Sequence, residues 1–103
     1  MPASAHVFLM CPPEYFNVAY IINPWMQGNL KRIDIAVARQ QWRALYDALT
    51  DRATVRLVQP QPGSPDMVFT ANAGIVKGRR FVCARFRYPE RQYEEPYFAD
   101  WFM

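Results

Sequence analysis

The sequence predicts an α/β fold, one ββαβ unit plus most of a second. Three observations carry this. Short apolar or β-branched runs end at proline-containing breaks, a single 3.6-periodic stripe lies between two such runs, and a Lys77-Gly78-Arg79 turn separates two more. With 51% hydrophobic and 16% aromatic residues, the chain has the apolar content of a folded protein. Its 103 residues allow one domain, 1–103. The first unit is expected over about 6–59 and an incomplete second over about 66–103.

His6 to Cys11 reads as a short buried strand stopped by Pro12-Pro13. Val18 to Ile22 reads as a second strand, ended by Asn23-Pro24; the proline biases Asn23 towards extended geometry at a strand terminus. Gln27-Gly28-Asn29 follows as a turn. Ala38, Trp42, Leu45 and Leu49 then form one helical stripe, with Asp34 placed to cap it. Thr54 to Val58 is a β-branched strand ended by PQPGSP.

In the second half, Met67 to Thr70 reads as a strand, and Gly74–Val76 with Arg80–Ala84 as a hairpin in which Gly78 supplies a positive φ. A final helix is expected from about Pro96, with Tyr97/Trp101 and Phe98/Phe102 as i, i+4 pairs. An aromatic helix end of this kind has to be buried somewhere, which implies that the chain is a piece of a larger fold or associates with a partner.

Composition narrows the function. The net charge of +3 is a mild excess with dispersed basic residues, so no nucleic-acid partner is expected. The longest apolar run, Val7 to Cys11, is too short for a bilayer, and MPASAH lacks the features of a secretory signal, so no membrane role is expected. Cys11 and Cys83 make no CxxC pair and His6 stands alone, so no metal site is expected. Four glycines in no phosphate-binding pattern argue against a nucleotide cofactor. Reduced thiols in a cytoplasmic protein are the default reading. His6 reads as a strand-end residue, and both cysteines read as packing thiols rather than nucleophiles.

Polar residues at strand ends remain. Asp66 and Asn72 are evenly spaced, so an ideal strand sets them on one face, where a carboxylate and an amide can accept hydrogen bonds from a planar cation. Read alone, Asp66 also suits a loop cap, Asn72 a turn, and Arg91 a solvated loop position. Arg91 equally offers a fork for a carboxylate.

Three stretches taken together, LMCPPEYFNVAYIINPWM, PGSPDMVFTANAGIV and PERQYEEP, resemble the amino-terminal part of the guanidino-group modifying (pentein) superfamily. That superfamily includes arginine dihydrolases, dimethylarginine dimethylaminohydrolase, arginine deiminase and the amidinotransferases. The resemblance implies a partial pentein-type α/β propeller, since five units the size of the first would need roughly 270 residues. It implies an L-arginine-like guanidino substrate bound by Asn23, Asp66, Phe69, Asn72 and Arg91. Asp66 is then the guanidinium-binding carboxylate, Phe69 the aromatic wall and Asn72 a second polar contact. Asn23 lies near the head-group, and Arg91 holds the α-carboxylate. Position 72 carries aspartate in the deiminase and dimethylaminohydrolase branches, and asparagine there suits a ureido oxygen.

The superfamily attacks the guanidinium carbon with a cysteine thiolate assisted by a histidine. Cys11, Cys83 and His6 match neither motif, so no catalytic residue and no cofactor is assigned, and the chain alone is expected to be inactive. The expected protein is an amino-terminal fragment of an arginine-directed amidinohydrolase. The alternatives are one subunit of a split enzyme, or a non-catalytic module that self-associates through an exposed sheet edge.

Overall fold

In the computed structural model, residues 6–17, 19–22, 24–28 and 34–103 are described. Among the described residues two small sheets and three α-helices surround the core. Strand β1 (Val7–Met10) runs parallel to β2 (Thr54–Leu57), with Val7 opposite Thr54 and Met10 opposite Leu57. A parallel pair needs a long crossover, and α1 (Ile35–Thr50) provides it. The Asp34 carboxylate caps α1 by accepting from the N–H groups of Ala36 and Val37, at 3.1 and 3.2 Å.

The stripe on α1 is real, yet none of its side chains is fully buried. Trp42 stacks on Tyr46 at 5.4 Å, while Leu45 stays 54% exposed. The outer face carries the exposed Arg43–Asp47 pair, whose contribution to stability is small.

Among the described residues two expected strands do not form; Val18, the first residue of one of them, lies outside the described residues. Residues 19–22 join no ladder. Tyr20 instead ties this segment by its hydroxyl to Asp66, which anchors it to a turn rather than a sheet edge. Pro24–Met26 then forms a single 3-10 turn. Met67 to Thr70 is not extended either. It belongs to two successive 3-10 turns, Pro65–Val68 and Thr70–Asn72. Pro65 starts the first with its fixed φ, and the backbone bonds close locally: Met67 N–H to Ser64 O, Phe69 N–H to Asp66 O, and Asn72 N–H to Phe69 O. Burial of Met67 within the turn satisfies the short apolar run without a strand.

Strands β3 (Gly74–Lys77) and β4 (Arg80–Cys83) form the expected antiparallel hairpin, with Gly78 at φ +61°. Gly74 is required by close approach: a Cβ there would meet the Val82 carbonyl and the Phe81 ring. Two helices follow, α2 (Pro89–Gln92) and α3 (Glu95–Phe102).

The core joins both halves. Cys11 from beyond β1, Val58 from beyond β2, Met67 and Ala73 from the turns, and Phe98 from α3 are buried together, with Leu9, Phe81 and Trp101 packed against them. Phe102 stacks on Phe81 with ring centroids 3.8 Å apart, so the hairpin covers part of the aromatic helix end. Apolar side chains on the strands stay open, among them Val7, Ile75 and Val82.

Candidate functional site

The two 3-10 turns position the site. The first places Ser64 and Asp66 in the interior, at 4% and 5% exposure. The second is pinned to β1 by the Thr70 hydroxyl, which donates to the Leu9 carbonyl at 2.7 Å. Asp66 and Asn72 therefore flank one tight bend rather than sharing the face of a strand. The geometry that brings them together differs from the one their spacing suggested.

Arg91 links them. It lies on α2, not in a loop, and its side chain is only 11% exposed. Its Nη1 donates to Asn72 Oδ1 at 3.0 Å, and its Nη2 to the Asp66 backbone carbonyl at 3.1 Å. Its Nε and Nη2 form a two-point bond with Glu94, each at 2.8 Å. The guanidinium plane also lies over the Phe86 ring, 4.4 Å from its centroid. Among the described residues these bonds use four of the five N–H groups and leave one on Nη1.

Glu94 is fully buried, and Arg91 satisfies both of its oxygens. The Asp66 carboxylate is held differently: Tyr20 donates its hydroxyl to Oδ2 at 2.5 Å. Burial, and then the Asp66 carboxylate, hold the Tyr20 phenol far above its ordinary range, so it remains a neutral donor. Burial pushes the Glu94 carboxyl up against the opposing pull of Arg91. Burial works against the Arg91 charge as well, but Glu94 and then Asp66 outweigh it and hold the guanidinium protonated.

The formal charges decide what such a cluster can take. Asp66 and Glu94 bring two negative charges and Arg91 one positive charge, which is spent on Glu94. Among the described residues the cluster therefore carries one more formal negative charge than positive, and Asp66 is the carboxylate that Arg91 does not bond directly.

Phe69 joins the two turns but is absent from the groups around Arg91 among the described residues. Its ring is 47% exposed, meets Phe16 edge-on at 5.7 Å, and lines a hollow of about 250 Å³ with Pro13, Trp42 and Leu45. Asn23 lies outside the described residues. Three participants were not read from the sequence: Tyr20, Glu94 and Phe86. Glu94 had a signal, since it follows Arg91 at the i, i+3 spacing that lets helical side chains meet. Tyr20 and Phe86 had none.

The thiols behave as packing groups. Cys11 is fully buried, and burial, with Glu94 and Glu14 adding to it, pushes its pKa up to about 12. Cys83 is half-buried, with its sulfur near the Glu95 carbonyl. Iodoacetamide at pH 8 is expected to modify Cys83 first and Cys11 only on unfolding; mass spectrometry of the labelled peptides checks this. Because the unfolded thiol ionises near 9 and the folded one near 12, Cys11 is also expected to erode stability as pH rises through that window. Among the described residues no group of three His, Cys, Asp or Glu side chains could hold a metal, and no helix is long and apolar enough to cross a membrane.

No protein-family model matches the chain. Individual relatives do: the chain's homologues and structural neighbours are members of the guanidino-group modifying (pentein) superfamily, and the chain aligns with part of their amino-terminal domain. It is 55% identical over 95 residues to the bifunctional arginine dihydrolase/ornithine cyclodeaminase AgrE of Nostoc sp., covering 92% of this chain and 14% of that protein. It is 44% identical over 95 residues to the dimethylarginine dimethylaminohydrolase of Mycobacterium tuberculosis, covering 91% of this chain and 31% of that one. The crystal structure of an AgrE mutant with L-arginine superposes with a TM-score of 0.92 at 54% identity, over 93% of this chain and 14% of that chain. The N-terminal domain of the arginine dihydrolase ArgZ in complex with product superposes at 0.89 and 52% identity, over 91% and 34%. The chain thus spans between about a seventh and a third of these relatives.

Proposed function

We propose that this chain forms the guanidinium-recognition portion of an arginine-directed amidinohydrolase, with the covalent chemistry carried by residues outside these 103. One observation carries the proposal: Asp66 is a buried carboxylate whose neighbouring cation is already committed to Glu94. A guanidino head-group supplies the missing charge, and its planar donors suit a carboxylate. On this reading Asp66 is the primary contact, and Phe69 and Asn72 flank the head-group. Arg91 offers its remaining Nη1 N–H to the ligand's α-carboxylate. Thiolate attack on the guanidinium carbon needs a nucleophile more acidic than Cys11, whose pKa of about 12 keeps it protonated. Two unpaired thiols fit a cytoplasmic setting.

Calorimetric titration of the purified chain with L-arginine, L-citrulline and L-leucine tests this. Saturable heat with L-arginine, reduced by added salt, and none with L-leucine is expected. Absence of heat with both L-arginine and L-citrulline overturns it. The open apolar side chains of β1 and the hairpin favour a second reading, a self-associating module. A stable oligomer by analytical ultracentrifugation, together with no ligand binding, supports that reading instead.

A further inference from the structure

We infer that Glu94 is a positioning residue: through Arg91 it fixes the side-chain amide of Asn72 and so sets which ligand group the site accepts at that corner. The inference rests on the recognition role proposed above and adds a determinant of preference to it.

A guanidinium has donors and no acceptor, so Asn72 can meet Arg91 only with its carbonyl oxygen, as the 3.0 Å bond from Nη1 to Oδ1 requires. The two N–H donors of Asn72 then point away from Arg91, on a residue that is itself exposed. The arrangement lasts only while the guanidinium stays still. Arg91 has a long, rotamer-rich side chain, and the buried Glu94 fork immobilises it at two points. The Phe86 ring and the Asp66 carbonyl complete the clamp.

The site therefore shows a ligand two unlike corners, an acceptor at Asp66 and a donor pair at Asn72. A ureido group matches both, because it carries N–H donors and a carbonyl acceptor. A guanidinium has nothing to accept from Asn72 and is held through Asp66. The Glu94–Arg91 fork thus favours a ureido ligand over a guanidino one relative to a site in which Asn72 turns freely.

The test compares the wild-type chain with Glu94→Gln, which keeps the shape of residue 94 but turns an N–H₂ towards one arm of the Arg91 fork. Two quantities are read: the ratio of L-citrulline to L-arginine affinity by calorimetry, and the side-chain amide resonance of Asn72 in ¹⁵N-labelled protein. The ratio is expected to fall at least fivefold in the variant, and the Asn72 resonance to move towards the position of a freely rotating amide. General destabilisation weakens both ligands alike and leaves the ratio unmoved. Wherever the wild-type chain binds either ligand the ratio decides, and an unchanged ratio overturns the inference. If the wild-type chain binds neither, the recognition role fails, and the Asn72 resonance alone decides the positioning: movement supports it and constancy overturns it. Should Glu94→Gln not fold, Arg91→Lys keeps the charge beside Glu94, removes the fork, and is read in the same way.

Discussion

Asp66→Asn is expected to weaken L-arginine binding by about 10- to 100-fold while leaving the fold in place. A hydrogen bond to a charged group contributes about 1.5–3 kcal/mol, and each 1.4 kcal/mol is tenfold in affinity. The substitution keeps the size of the side chain. It also keeps an oxygen for the Tyr20 hydroxyl, and the backbone carbonyl that Arg91 and Phe69 share is untouched. What it removes is the negative charge that Arg91, committed to Glu94, does not neutralise. Binding should therefore lose its salt dependence together with its strength, whereas the unfolding midpoint moves little. Calorimetry at two ionic strengths and a thermal melt check both parts. A variant that binds L-arginine as wild type does would take Asp66 out of the site.

Arg91→Met is expected to cost about 3–5 kcal/mol of stability, because it leaves Glu94 fully buried with neither oxygen bonded by the fork. A domain of this size holds roughly 5–15 kcal/mol in total, so the variant should lose much of its cooperative unfolding transition. The pair is costly to break and cheap to replace. Arg91→Met combined with Glu94→Leu removes the uncompensated charge and should recover most of the loss. Urea unfolding of the two variants against wild type measures the difference. Equal destabilisation by the single and double variants would mean that packing against Phe86, rather than the charge, is what Arg91 contributes.

Local patterns in this sequence were legible wherever one element settles its own conformation. The α1 stripe with Asp34 at its start, the hairpin with Gly78 in its turn, and the short strands at β1 and β2 all follow from periodicity and turn chemistry. The strand expected at Met67 to Thr70 failed because three-residue backbone bonds after Pro65 compete with a ladder, and an apolar run this short does not distinguish the two. The strand expected at 18–22 failed over 19–22 because a contact 46 residues distant, Tyr20 to Asp66, fixes that segment.

The same distinction runs through the site. Asp66, Asn72 and Arg91 were identified as residues, and the structure gathers them around one guanidinium. The even spacing of Asp66 and Asn72 implies a shared strand face, whereas the backbone there makes two 3-10 turns. The sequence places Arg91 in a loop, either solvated or offering a fork to a carboxylate, and its packing against Glu94 and Phe86 is tertiary information that no local pattern carries. Open apolar strands have the same origin: the two short sheets bury Leu9 and Phe81 in part and leave Val7, Ile75 and Val82 to solvent, so pattern alone overstates the core.

The most direct measurement is the side-chain carboxyl ¹³C resonance of Asp66 in labelled protein, followed as L-arginine is added. A saturable shift at Asp66, matched by one at the Asn72 side-chain amide and absent with L-leucine, is the predicted result. A chain in which L-arginine leaves the Asp66 resonance unmoved, or moves only exposed carboxylates such as Asp47 in a non-saturating way, would contradict the assignment of this cluster to guanidinium recognition.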